Sequence, residues 1–187
     1  MTLELTLKPN TLVDFAFGKV IAGKEMQVFA EYFPIIAPVL QECGIQPMQS
    51  FAVLATNNTG LTPEQGALTQ VPSAEKFAQF HADPRFIEAR PIRDEAMEFL
   101  TDGNLFNASD RVVNLNTDSH YAVIFAEGNP MKAEPMLTLE IAQDSPKQVY
   151  ANKSLTLHLW SEQAEQLLND SADKAEVFKI RFNPASA

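Results

Sequence analysis

The sequence predicts an α+β protein in two parts, a split βαβ unit followed by a strand-rich half, and three observations carry this. Segments that alternate apolar and polar residues are interleaved with segments whose apolar residues recur every three or four positions. The two long helical patterns both fall before residue 100, whereas the alternating segments dominate after residue 120. At 187 residues and 45% hydrophobic content the chain is long enough, and apolar enough, to bury a substantial core.

The elements follow in order. Thr11 to Val20 places Val13, Phe15 and Phe17 at a period of two, which predicts a half-buried strand closed by Gly23. From Lys24 the residues Met26, Phe29, Phe33, Ile36 and Leu40 form one apolar stripe of helical period. Pro34 and Pro38 remove backbone donors inside it, so a kinked helix or two abutting segments are expected, ending at Cys43-Gly44. Pro47 to Ala55 and Gly66 to Val71 read as strands separated by the polar loop TNNTGLTPEQ. Ser73 is an N-cap, Phe77 and Phe80 supply a buried face, and Asp83-Pro84 is a second N-cap with proline at the first helical position. The restarted helix carries Ala89, Ile92, Ala96 and Phe99 on one face and stops at Asp102-Gly103.

One more strand completes a ferredoxin-like βαββαβ unit, and Tyr121 to Ala126 (YAVIFA) is the best candidate for it. The segment 104–119 between them is polar, with RVVNL as a linker or edge strand. Pro135 to Ala142, Ser154 to Trp160 and Ala175 to Asn183 alternate strictly, with a short helix capped by Ser161 before the last. This βββαβ half fits a degenerate tandem repeat of the first that has lost a helix. The expected division is a domain at 1–106 and a second half at 107–187, packed on the first.

Composition excludes several classes. A formal net charge of −10 repels phosphate backbones, and Arg85, Arg90 and Arg93 are interspersed with Asp83, Glu88, Asp94 and Glu95, so nucleic acid is not an expected partner. The start MTLELTLKPN lacks the pattern of a signal peptide, no apolar run approaches membrane-spanning length, and Cys43 is the single cysteine. A cytoplasmic protein without membrane partners is expected. The three histidines lack metal-ligand spacing and no glycine-rich loop offers a phosphate cradle, so no cofactor is expected.

Five residues stand out as site candidates. His81, between Phe80 and Asp83, and His158 could carry a proton near neutral pH. Arg93 could grip a carboxylate. In SLTLHLW the residues Thr156, His158 and Trp160 share the strand face opposite Leu155, Leu157 and Leu159, and Glu140 shares the polar face of PMLTLEIA. If these strands form one sheet with the aliphatic face against the helix, the other face displays Glu140, His158 and Trp160 as a pocket or partner surface.

The span from Glu31 to Leu100 resembles a family of small bacterial proteins of the dimeric α/β-barrel superfamily. The residues that carry this are AEYFPIIAPVLQECG in the first helix and VPSAEKFAQFHADPRFIEARPIRDEA across the second, with Val71, Pro72, Ser73, Asp83, Pro84 and Arg93 at the matching positions. Cys43-Gly44 stands where that family has paired glycines, and the strands after Gly128 have no counterpart in it. The resemblance implies a ferredoxin-like fold, a homodimer made sheet to sheet, and a pocket between sheet and helices. It implies no reaction. Three readings remain open at this point: a protein binding a small hydrophobic or carboxylate-bearing molecule, a cofactor-independent oxygenase or isomerase, and a protein–protein interaction module.

Overall fold

The computed structural model describes residues 1–184. Its strands are β1 (Thr2–Leu7), β2 (Leu12–Val20), β3 (Gln46–Thr56), β4 (Gln65–Val71), β5 (Met97–Thr101), β6 (Leu105–Asn107), β7 (Arg111–Asn116), β8 (Tyr121–Ala126), β9 (Leu137–Glu140), β10 (Ser154–Leu159) and β11 (Ala175–Phe182). Its helices are α1 (Phe33–Glu42), α2 (Ala74–Ala82), α3 (Pro84–Ala96) and α4 (Glu162–Asn169). The architecture is therefore α+β, and none of these helices is long and apolar enough to cross a membrane.

A nine-stranded antiparallel sheet runs in the order β5-β2-β4-β3-β11-β8-β10-β9, with β6 also on β2. Its first half, β5-β2-β4-β3, has the strand order of a split βαβ unit. The second half repeats that order as β11-β8-β10-β9, with α4 before its last strand and the loop 127–136 where a first helix would stand. The two halves join where β11 pairs with β3, Phe182 opposite Phe51. The sheet then closes on itself. β6 pairs with β2, Phe106 bridges Ile141 just past β9, and the Ala142 amide donates to the Leu105 carbonyl at 2.7 Å. The pairing that the resemblance assigns to two copies is thus made within one chain.

The alternating residues explain the barrel. Phe15, Phe17, Phe51, Leu68, Tyr121, Val123, Phe125, Leu137, Leu139, Leu155, Leu157, Phe178 and Ile180 all point inward and are buried together. The rings interlock, with Phe17 stacked on Phe178 at 4.3 Å between centroids and Phe51 against Phe15 at 5.1 Å. The interior is a packed core rather than a channel. The aliphatic faces of β9 and β10 accordingly meet this interior, not a helix as expected. α4 lies on the opposite face, over Ala122, Ile124 and Val177. The ribbon formed by β1 and β7 contributes Leu5, Leu7, Val113 and Leu115 to the same core. RVVNL is thus the edge strand of a separate ribbon, paired with a β1 that the sequence pattern did not announce.

Gly66 lets Phe51 fill the barrel. A Cβ at residue 66 would stand 2.2 Å from Phe51 Cζ and 2.5 Å from the Ala16 carbonyl oxygen, neither of which has room to retreat. Gly66→Ala is therefore expected to lower stability by about 1–3 kcal/mol, the usual range for an overpacked core. Denaturant titration checks this. A midpoint equal to the parent's would mean that Phe51 has another rotamer available.

Two further sequence expectations need correction. The fourth strand of the first unit is β5, not Tyr121–Ala126. α3 stops at Ala96 and Phe99 sits opposite Lys19 on a strand. β8 is instead the second half's central strand, buried on both faces, which its unbroken apolar run reflects. The apolar stripe of the first helix is also displaced. Gln27–Tyr32 forms a π-helical turn ahead of α1, and the wider turn rotates the face, so that Tyr32, Ile36, Val39 and Leu40 are buried while Met26 and Phe29 stand 69% and 64% exposed. The caps fall as expected. Ser73, Asp83 and Ser161 accept from the amides of Lys76, Arg85 and Ala164 at 3.2, 2.8 and 3.3 Å, and Gly44 takes φ +70° past the end of α1.

Candidate functional site

A cleft of about 590 Å³ opens at the barrel end covered by the β1–β7 ribbon. Three elements frame it: β1, the side of α1 that carries Phe33, Ala37 and Gln41, and the start of β3. The ribbon lies beside the sheet without pairing to it, because β1 pairs with β7 while Gln46–Ala52 of β3 pair with β4. The space between them is left open. Leu5, Phe33, Leu40, Met48 and Leu115 supply apolar walls. Gln41, Gln46, Gln49 and Gln70 bring amide groups, and Lys8 and Glu4 bring opposite charges.

Two of these amides are positioned by hydrogen bonds. Gln70 is buried and its Nε2 donates to the Thr11 hydroxyl at 2.8 Å. Gln49 Nε2 donates to the Asn183 carbonyl at 2.6 Å. An apolar cleft with a few fixed amides and one cation can hold a molecule by its carbon skeleton and orient it by its polar end.

The five candidates from the sequence fall into two separate places, and none lines this cleft. His81 and Arg93 lie on the outer face of the first half. The His81 ring is stacked on Phe86 at 4.7 Å and lies 4.3 Å from Phe77, and burial pushes its pKa down. Arg93 sits between the rings of Tyr32 and Phe86, 5.8 and 5.7 Å from their centroids, with Nε and an NH2 group on Asp94 Oδ1 at 3.0 and 2.8 Å. His158, Glu140 and Trp160 belong to the second half. His158 is 2% exposed, opposite Ala122 on β8, and neither ring nitrogen has a hydrogen-bond partner among the described residues. Burial pushes its pKa down as well. Glu140 is exposed opposite Ser154. Trp160 donates from Nε1 to Glu165 at 3.1 Å and carries the Lys179 ammonium 4.4 Å above its ring.

One residue the sequence reading passed over is Asp14, on the outer face of β2 and 6% exposed. Its carboxylate accepts from the Gly103 amide at 3.2 Å. Burial, reinforced by the nearby Asp102 charge, pushes its pKa up to about 7. The signal was present: an acid flanked by Leu12 and Val13 before it and by Phe15, Ala16 and Phe17 after it.

No protein-family model matches the chain, and no curated protein matches it. Among solved structures, it is similar to a mutant chlorite dismutase from Candidatus Nitrospira defluvii in complex with cyanide. The identity there is 11% over 95% of this chain and 92% of that one, with a TM-score of 0.47. It is also similar to a proposed monooxygenase from Lactobacillus acidophilus (8% identity, 92% and 94% covered, TM-score 0.42). A third is a protein of unknown function from Rhodopseudomonas palustris (16% identity, 58% and 83% covered, TM-score 0.40). At these levels the likenesses carry no argument about what this chain does.

Proposed function

We propose that this protein binds a small amphipathic molecule, largely apolar with one carboxylate or amide-like end, in the cleft between β1, α1 and the start of β3. The observation that carries this is the lining: leucine, methionine and phenylalanine side chains around four glutamine amides, with Lys8 as the cation. The volume, about 590 Å³, lies within the range of roughly 300–1,000 Å³ usual for small-molecule sites. The repeated strand order supports a further reading of the architecture as a dimeric α/β-barrel condensed into one chain, its halves being degenerate repeats. A homodimer of this chain would use a surface other than the sheet edges already paired within it, and Met26 and Phe29 are exposed apolar side chains outside those edges.

Decanoate, with decanol as its uncharged counterpart, tests the cleft by titration calorimetry. Decanoate is expected to bind the parent. Ala37→Trp, which projects an indole from an exposed position of α1 into the cleft, is expected to weaken it by at least about ten-fold, some 1.4 kcal/mol. Lys8→Gln is expected to weaken decanoate and leave decanol unchanged. Equal binding by the parent and Ala37→Trp would place any decanoate site elsewhere and sink the proposal, as would no binding of either probe.

A further inference from the structure

The barrel closes through a narrow seam, and its fastening is unlike that of the other strand pairs. Between β5 and β6 the chain bends at Asp102, Gly103 and Asn104, with Gly103 at φ +82°. This bend holds the 143–149 segment that follows β9. The Lys147 amide donates to the Gly103 carbonyl at 3.0 Å, and the Val149 amide donates to Asn104 Oδ1 at 3.2 Å. The Ser145 hydroxyl accepts from the Leu105 amide at 2.8 Å and donates to the Lys147 carbonyl at 2.6 Å. Lys147 Nζ lies 3.2 Å from Asp102 Oδ1, and Arg93 approaches Asp102 Oδ2 at 3.8 Å from α3. Beyond these ties, the β6–β9 closure itself rests on the Phe106–Ile141 bridge and the Ala142–Leu105 hydrogen bond.

Asp14 lies directly beneath the bend. We propose that the closing seam is a pH-sensitive latch, in which ionisation of Asp14 beside Asp102 releases the Asp102–Gly103–Asn104 bend together with the 143–149 segment fastened to it. The groups that face Asp14 are Asp102 and the Gly103 amide from the bend and Lys147 from the 143–149 segment. Lys147 is shared with Asp102, and Arg93 is shared between Asp102 and Asp94. No cation is therefore dedicated to Asp14. The Gly103 hydrogen bond favours the ionised carboxylate, but burial and the Asp102 charge outweigh it. Lifting the bend returns Asp14 to water and relieves both.

The folded carboxyl keeps its proton up to about 7, against 3.8 when freely exposed, so opening becomes easier as pH rises through that interval and levels off above it. Between pH 6 and 8 the local opening equilibrium increases by about ten-fold if opening fully exposes the group. The proposal does not depend on the cleft, which lies at a different place in the barrel.

Hydrogen exchange of the Leu105, Ala142, Lys147 and Val149 amides, corrected for the intrinsic rate at each pH, reads the latch directly. Their protection is expected to fall about ten-fold from pH 6 to pH 8 in the parent and to stay level in Asp14→Asn, and at each pH to lie below that of the β8 and β10 amides, which open only with the whole fold. A pH-independent seam in the parent, or the same fall in Asp14→Asn, overturns the proposal. Should Asp14→Asn fail to fold, the Asp14 carboxyl carbon can be titrated by NMR in the parent and in Asp102→Asn. A midpoint near 7 that drops in Asp102→Asn supports the latch, and an ordinary aspartate midpoint in the parent overturns it.

Discussion

Phe51→Ala is expected to destabilise the protein by about 3–5 kcal/mol, the range for removing a fully buried phenylalanine. That is a large part of the roughly 5–15 kcal/mol that holds a domain together. The effect should lie at the upper end because Phe51 is one of the rings through which the two halves meet. It touches Phe15 and Phe17 from the first half, at 5.1 and 5.5 Å, and Phe182 from the second, at 6.0 Å, with no exposed surface of its own. Surrounding rings held on two different strands, β2 and β11, cannot collapse into the space together. Urea denaturation followed by tryptophan fluorescence and by far-UV circular dichroism measures it. The two probes should move together, since Trp160 sits in the second half and Phe51 in the first. A loss seen by dichroism alone would show instead that the halves unfold separately.

His158→Leu is expected to act in the opposite direction and raise stability, by about 2–4 kcal/mol near neutral pH, because each unpaired buried polar group costs about 1–3 kcal/mol. Among the described residues both ring nitrogens of His158 lack partners, and Thr156 Oγ1 two residues earlier lacks one as well. Leucine is close in size and brings no polar atom to leave unpaired. The pH dependence should change too. Burial lowers the folded pKa of His158 below its ordinary value of 6.5, so the unfolded chain binds its proton first. The parent should be fully stable with respect to this group above 6.5 and lose stability progressively as pH falls through and below it. In His158→Leu that part of the acid-side loss should vanish. Thermal melts between pH 5 and 8 decide the matter. An unchanged or lowered melting temperature would mean that an internal water already satisfies the ring.

What could be read in the sequence was local. Ser73, Asp83-Pro84, Ser161 and Gly44 announce helix ends through chemistry confined to a few residues, and they fall where expected. Strict alternation in β9, β10 and β11 likewise separates two faces, since a strand's period is a property of the strand itself. The assignment of those faces was not legible. An aliphatic face can meet a helix or another sheet, and only the closure of the barrel decides between them. The helical stripe failed for a different reason, because a π-helical turn at Gln27–Tyr32 breaks the period on which the stripe was counted. β5 failed because five residues after a helix fit either period. Site residues fared likewise. The cleft is made by β1, α1 and β3, and Asp14 meets its partners on segments near residues 102 and 147, so neither arrangement has a short-range signature.

The position of β11 has a consequence for how the chain acquires its structure. Because it lies between β3 and β8, each half exposes a free strand edge until this late segment arrives. During synthesis the ribosome would hold a chain with its first four-strand layer formed and the β3 edge unprotected, a template for pairing with neighbouring nascent chains. Pairings so distant in sequence also impose slow closure. A chaperone that shields that edge would therefore be expected to raise the yield of folded protein more than any substitution on the helical surface.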